Sequence, residues 1–213
     1  MRRHGISLVC GCLLLLATGC NNSQNNDKIE NKNVESKKAV ILIHGHPACG
    51  KLTIARKLSE KYNLNLMDNH LFNNIIFPYV QLSTKNIIAI DPSINKIREI
   101  WMENVAKYSD KDKGFVFTDV LIPSESKQKD VQKLRNFADK LSFQFLAVKL
   151  VCDENDIKGR INTPDRRKRF KLTDFNVWKK YVDSTKFLDV EGSVVIKNSN
   201  IDNTIKIIEE HLK

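Results

Sequence analysis

Residues 39–53 read AVILIHGHPACGKLT. They constrain the fold more than any other stretch. Ala39 to Ile43 is a continuous apolar run, too short for a helix. Such a run suits a strand buried on both faces of a parallel sheet. A turn carrying Gly45 and Gly50 follows, and Lys51 closes it. Leu52, Ile54, Ala55, Leu58 and Tyr62 then recur at a spacing of three to four, which predicts a helix with one apolar face. Strand, glycine turn and helix together open a βαβ unit, and a βαβ unit requires a second parallel strand.

The rest of the chain continues the alternation. A second strand is expected at 64–67, ending at Asp68, Asn69 and His70. A helix is expected around 94–108, with Ile94, Ile97, Ile100, Trp101 and Val105 in register. The third strand is expected at 114–121, through Asp119. Pro123-Ser124 opens a helix running to about Leu141. The fourth strand covers 143–151. A polar, arginine-rich segment spans 153–171. The fifth strand is 193–196, and Asp202 is expected to cap a last helix through Ile205, Ile208 and Leu212. The fold class is α/β: a five-stranded parallel sheet between two helical layers. Residues 39–213 are long enough for one such core.

Gly45-x4-Gly50-Lys51 fits a phosphate-binding loop. Glycines allow the tight turn and let backbone amides approach an anion. The start of the next helix adds partial positive charge, and Lys51 supplies a point charge for the β- and γ-phosphates. Residues 45–53 (Gly45, His46, Pro47, Ala48, Cys49, Gly50, Lys51, Leu52 and Thr53) are therefore the expected nucleotide-binding loop. Leu52 stands where such loops commonly carry the magnesium-ligating hydroxyl, and Thr53 follows it. Direct ligation of magnesium through the loop is thereby weakened. Cys49 has the placement that lowers a thiol pKa, beside a helix N-terminus.

With this loop, an Asp after the second strand and arginines at 160–169, the chain resembles the phosphate-loop small-molecule and nucleotide kinases. That group includes adenylate, shikimate and gluconate kinases and chloramphenicol phosphotransferase. The resemblance covers about 38–213 and implies a small lid at about 153–171. It implies transfer of a phosphoryl group from ATP, with Mg2+, to a hydroxyl or phosphate of a small molecule or nucleotide. It implies that Asp68 orients the acceptor and accepts its proton, with Asn69 and His70 as further acceptor contacts. It implies that Lys51, Arg160 and Arg166 act on the transferring group, and that Arg167 and Arg169 hold nucleotide. Thr53 and Asp119 would hold magnesium, mostly through water. Because ligands bind at the carboxyl ends of strands in open α/β sheets, the loop and Asp68 are expected at the ends of adjacent strands. A monomer is expected.

The first residues point elsewhere. Arg2 and Arg3 precede an apolar stretch from Ile6 to Ala17, then Ala17-Thr18-Gly19-Cys20. Positive start, short apolar core and small residues before Cys20 form the layout of a secretory signal, and the last four residues resemble a bacterial lipobox. Residues 1–19 are thus expected to be a lipoprotein-type signal peptide. Cys20 is expected to carry acyl chains that anchor the chain to a cell membrane. Residues 20–38, rich in Asn and charge, are expected to be a disordered tether. The alternative is a cytoplasmic protein whose start codon is mis-assigned.

Charge and cysteine exclude other classes. The net charge is +10, of which residues 39–213 carry +7. That suits an anionic ligand, but no basic run interleaves with aromatics, so no nucleic-acid partner is expected. Cys49 and Cys152, the two cysteines after residue 38, form neither a disulfide framework nor a zinc pattern.

Overall fold

In the computed structural model the described residues are 36–81, 84–122 and 125–212. The expected signal peptide, the expected lipidation site Cys20, most of the expected tether and Pro123-Ser124 lie outside them. No helix among the described residues is long and apolar enough to cross a membrane.

The five strands are β1 (Ala39–Gly45), β2 (Asn65–Asp68), β3 (Phe115–Asp119), β4 (Gln144–Val151) and β5 (Val194–Lys197). All pair in parallel, in the order β2-β3-β1-β4-β5. This corrects one expectation. β1 and β2 are not neighbours, because β3 lies between them, paired to β1 through His44–Asp119 and to β2 through Asp68–Thr118. The connection through the first helix, α1 (Lys51–Tyr62), passes over β3 before the chain returns as β2.

Strand alternation sends β1 side chains into two cores. Ile41 and Ile43 join Ile54, Leu58, Val148, Leu150, Trp178 and Ile208 on one face. Val40 and Leu42 join Met67, Phe72, Met102, Phe117, Leu134 and Phe137 on the other. All seven β1 residues are buried, which is the physical reason for the unbroken apolar run. The first face is covered by α1, α5 (Glu154–Ile161), α7 (Phe175–Ser184) and α8 (Ile201–Glu209). The second is covered by α2 (His70–Asn73), α3 (Thr84–Tyr108) and α4 (Glu125–Leu141).

Four local expectations change. α3 begins at Thr84, ten residues before the periodic pattern, and carries Pro92 inside it. Proline removes a helix hydrogen bond, and packing of Ile90 and Ile94 on the second core outweighs that loss. The cap of α8 is Asn200, whose side chain accepts from the Asn203 amide; Asp202 sits in the first turn, where its charge favours the helix dipole. The arginine-rich segment is mostly helical, as α5 and α6 (Pro164–Lys168). Ile157 and Ile161 bury one side of α5 in the first core. Lys38, at the end of the expected tether, already joins the sheet, because its carbonyl accepts from the Gln144 amide at 3.0 Å.

Candidate functional site

The loop between β1 and α1 folds through positive φ values at Gly45 (136°), Ala48 (69°) and Gly50 (85°). Sterics require glycine at its two ends. A Cβ on Gly45 would stand 2.3 Å from the Leu150 carbonyl oxygen, and one on Gly50 would stand 2.6 Å from the Asn198 amide nitrogen. Gly50 caps α1 without a side chain, so the first-turn amides stay available to an anion. Lys51 curls back over the turn and donates to the carbonyls of Gly45 (2.9 Å) and His46 (2.7 Å). Burial lowers its pKa to about 8, against the opposing pull of Cys49 and Asp119. The Trp178 indole N–H donates to the Pro47 carbonyl at 3.0 Å, fixing the outer side of the loop against α7.

In front of the loop lies a cavity of about 430 Å3, within the range that holds one small ligand. Pro47, Ala48, Gly50, Lys51, Leu52 and Thr53 line one wall. Asp68, Asn69 and His70 line the second, with Thr118 and Asp119. Arg160, Arg166 and Lys171 line the third. Gly45, His46, Cys49, Arg167 and Arg169 do not reach the wall.

Asp68, the last residue of β2, is the centre of a charged knot. Its carboxylate accepts from the Thr118 hydroxyl at 2.7 Å, and pairs with Lys171 at 3.2 Å and Arg169 at 3.5 Å. Burial alone would raise its pKa; Lys171 and the Thr118 hydrogen bond outweigh burial and hold it below the usual carboxylate range. The arginine-rich segment thus rests on Asp68, across 101 and 103 residues of sequence. His70 faces the same cavity. Burial, then Lys171, lowers its pKa to about 4, so the ring is neutral at pH 7. Its Nδ1 has no hydrogen-bond partner among the described residues. The Asn69 side chain accepts from Arg98.

The arginines of 153–171 meet different partners. The Arg166 guanidinium donates to the carbonyls of Ile161 (3.0 Å) and Leu172 (2.6 Å), which holds that turn together. Arg160 donates to the Asn198 carbonyl at 3.2 Å and pairs with Asp156 at 3.6 Å. Arg167 points to Asn162 on the exposed side. Arg169 joins Asp165 to Asp68.

Several site residues escaped the sequence reading. Arg56 lines the cavity and lies 3.9 Å from Asp165. Its spacing of three from Thr53 on α1 was the available signal. Lys127 of α4 pairs with Asp119 and Asp130, each at 3.4 Å, and Arg98 of α3 lies 3.7 Å from Asp130. Nothing local marked these partners, which come from different helices. Burial opposes the charge on Lys127, but Asp119, Asp130 and Asp91 together outweigh it and raise the pKa. Asn198 follows β5 and donates to the Cys49 carbonyl at 2.8 Å; its place at a strand's carboxyl end was the signal.

Magnesium fits this donor set. No group of three or more His, Cys, Asp or Glu among the described residues is arranged to hold a metal. Magnesium needs only one or two protein oxygens beside water and phosphate. Thr53, with its hydroxyl, and Asp119, with its carboxylate, are both among the residues that line the cavity.

No protein-family model matches the sequence, and no curated protein sequence does. Solved structures do resemble it. A candidate kinase from Chloroflexus aurantiacus J-10-fl superposes with a TM-score of 0.55 at 14% identity, covering 83% of this chain and 96% of its own. A gluconokinase from Sinorhizobium meliloti 1021 gives 0.50 at 14% identity, covering 81% and 90%. At that identity the likeness concerns the backbone, and the chain has the α/β fold of the phosphate-loop kinases, with an all-parallel five-stranded sheet.

Proposed function

We propose that this protein is an ATP-dependent phosphotransferase acting on a small molecule or nucleotide. One observation carries the reading. The lysine of a glycine-cornered loop, two strand-end carboxylates and the basic face of a lid line a single cavity.

The residues divide the work as follows. The loop amides and Lys51 hold the β- and γ-phosphates. Arg160 and Lys171 add positive charge from the lid, where negative charge develops as the γ-phosphoryl group moves. The acceptor oxygen bonds to the γ-phosphorus as its bond to the β,γ-bridging oxygen breaks, and ADP leaves. Asp68, held acidic by Lys171, is a weak base, so its main task is to orient the acceptor hydroxyl, and it takes the proton late. A loose transition state demands little early deprotonation. Asn69 and neutral His70 contribute hydrogen bonds to the acceptor. Magnesium, bound with the nucleotide through Thr53 and Asp119, would neutralise charge on the β- and γ-phosphate oxygens.

The test is ATP turnover against a panel of alcohol and phosphate acceptors. Lys51→Ala should abolish turnover with the fold intact by circular dichroism. Retained turnover would sink the proposal. The rival reading is a tethered binding protein that keeps the fold without the chemistry. It is motivated by the signal-like residues 1–20. Nucleotide-dependent thermal stabilisation with no phosphoryl transfer to any acceptor would favour it. Membrane anchoring through Cys20 is part of our proposal and rests on the same residues. The intact mass from the native cell tests it: residues 20–213 plus acyl chains, against an unacylated chain.

A further inference from the structure

Two thiols meet behind the phosphate loop. Cys49 and Cys152 are the free cysteines among the described residues, and 103 positions separate them in sequence. The sheet register explains the meeting. Gly45 pairs with Leu150, so β1 and β4 end side by side, and the residues that follow share one rim. The Cys152 thiol donates to the Cys49 carbonyl at 3.5 Å, which sets the two residues side by side. Arg160 places Nη1 3.4 Å from the Cys152 sulfur. Cys49 is buried, whereas Cys152 is only half-buried.

Neither sulfur lines the cavity, and no step of phosphoryl transfer uses one. The pair nonetheless has the features of reactive rather than inert thiols. The neighbouring Cys152 thiol lowers the Cys49 pKa to about 7, against the opposing effect of burial. Cys49 and burial push the Cys152 pKa up. One partner is thus a thiolate for much of the time at neutral pH, and the other holds its proton.

We propose that Cys49 and Cys152 form a reversible disulfide that closes the phosphate loop to nucleotide. The oxidant is a two-electron one, hydrogen peroxide. One sulfur breaks the O–O bond and becomes a sulfenic acid. The other displaces that hydroxyl, and the S–S bond forms. Both thiol protons leave with the peroxide oxygens as two waters, and the sulfur pair loses two electrons. A dithiol reverses the step by exchange.

Closure follows from the position of Cys49. A covalent S–S bond is shorter than a hydrogen-bonded contact, so Cys49 must move towards β4. Its carbonyl is now held by the Asn198 amide at 2.8 Å, and it sits between the positive-φ residues Ala48 and Gly50. Moving it displaces the amides that begin α1, and Lys51 with them. The inference rests on the nucleotide-binding reading of that loop.

The experiment treats the full chain with hydrogen peroxide, then divides the sample. Tryptic mapping looks for a crosslink between residues 39–51 and 150–158, which carry Cys49 and Cys152. A fluorescent ATP analogue is titrated into the other half. The expected result is the crosslink together with a nucleotide affinity at least about tenfold weaker, restored by dithiothreitol. Cys152→Ser should bind normally before and after peroxide. Three outcomes overturn the proposal: a crosslink with unchanged affinity, peroxide sensitivity that persists in Cys152→Ser, or oxidation of Cys49 to sulfinic acid without a crosslink. If the reduced protein binds no nucleotide at all, the nucleotide reading fails and the switch falls with it. The mapping then still shows separately whether the sulfurs pair.

Discussion

Lys51 gives the sharpest quantitative expectation. Its ammonium is buried in the loop with a pKa of about 8, where an ordinary lysine has 10.5. Cys49 and Asp119 pull that value up, and burial, Lys171 and Arg166 push it down. Between pH 7 and pH 9 the charged fraction of the free protein should fall from about nine-tenths to about one-tenth. A bound triphosphate favours the charged form and should return the pKa towards that of an ordinary lysine. Binding must therefore take up protons wherever the free lysine has lost its own. Linkage then predicts that nucleotide affinity falls about tenfold per pH unit above 8, with about 0.9 proton taken up per nucleotide at pH 9. Titration calorimetry in buffers of different ionisation enthalpy measures the uptake directly. Cys49 also titrates in this range, so the measurement is repeated in Cys49→Ala, where the remaining uptake belongs to Lys51. Lys51→Arg in the Cys49→Ala background keeps its charge throughout and should take up almost nothing. Uptake near zero in the unmodified protein at pH 9, or an affinity flat from pH 7 to 9.5, would refute the reasoning.

Other perturbations test other contacts. Gly45→Ala places a Cβ 2.3 Å from the Leu150 oxygen at a φ of 136°; urea unfolding should show a loss of at least about 2 kcal/mol. Asp68→Asn removes the anion between Lys171 and Arg169; turnover should fall about a hundredfold or more, and single-turnover kinetics should place the loss in the chemical step. Trp178→Phe deletes the indole donor to the Pro47 carbonyl; thermal unfolding should report a cost of about 1 kcal/mol, and nucleotide affinity should weaken as the loop loosens.

Much of this architecture was readable in the sequence, because its signals are local. A double-sided apolar run, a glycine turn and a helical repeat each show within a dozen residues, and so residues 39–62 announced β1, the loop and α1. Asp68 and Asp119 were legible as strand ends for the same reason. Signals failed where local preference met tertiary packing. The helical period shows only from Ile94, yet α3 starts at Thr84 and runs through Pro92 because Ile90 and Ile94 have a core to enter. The arginines at 160–169 read as one basic lid. Their separate tasks depend on which carbonyl or carboxylate each one meets.

By itself, the sequence determined the succession of strands and helices and the chemistry of the loop, since hydrophobic period and glycine geometry are properties of neighbouring residues. Only the tertiary structure decided the strand order that inserts β3 between β1 and β2. That order brings Thr118 to Asp68. The fold likewise decided that Lys171 reaches Asp68 from 103 positions away and that Cys152 stands against Cys49. The reason is physical. Sheet order is set by how two cores are buried at once, and burial is a sum over contacts between residues far apart in the chain.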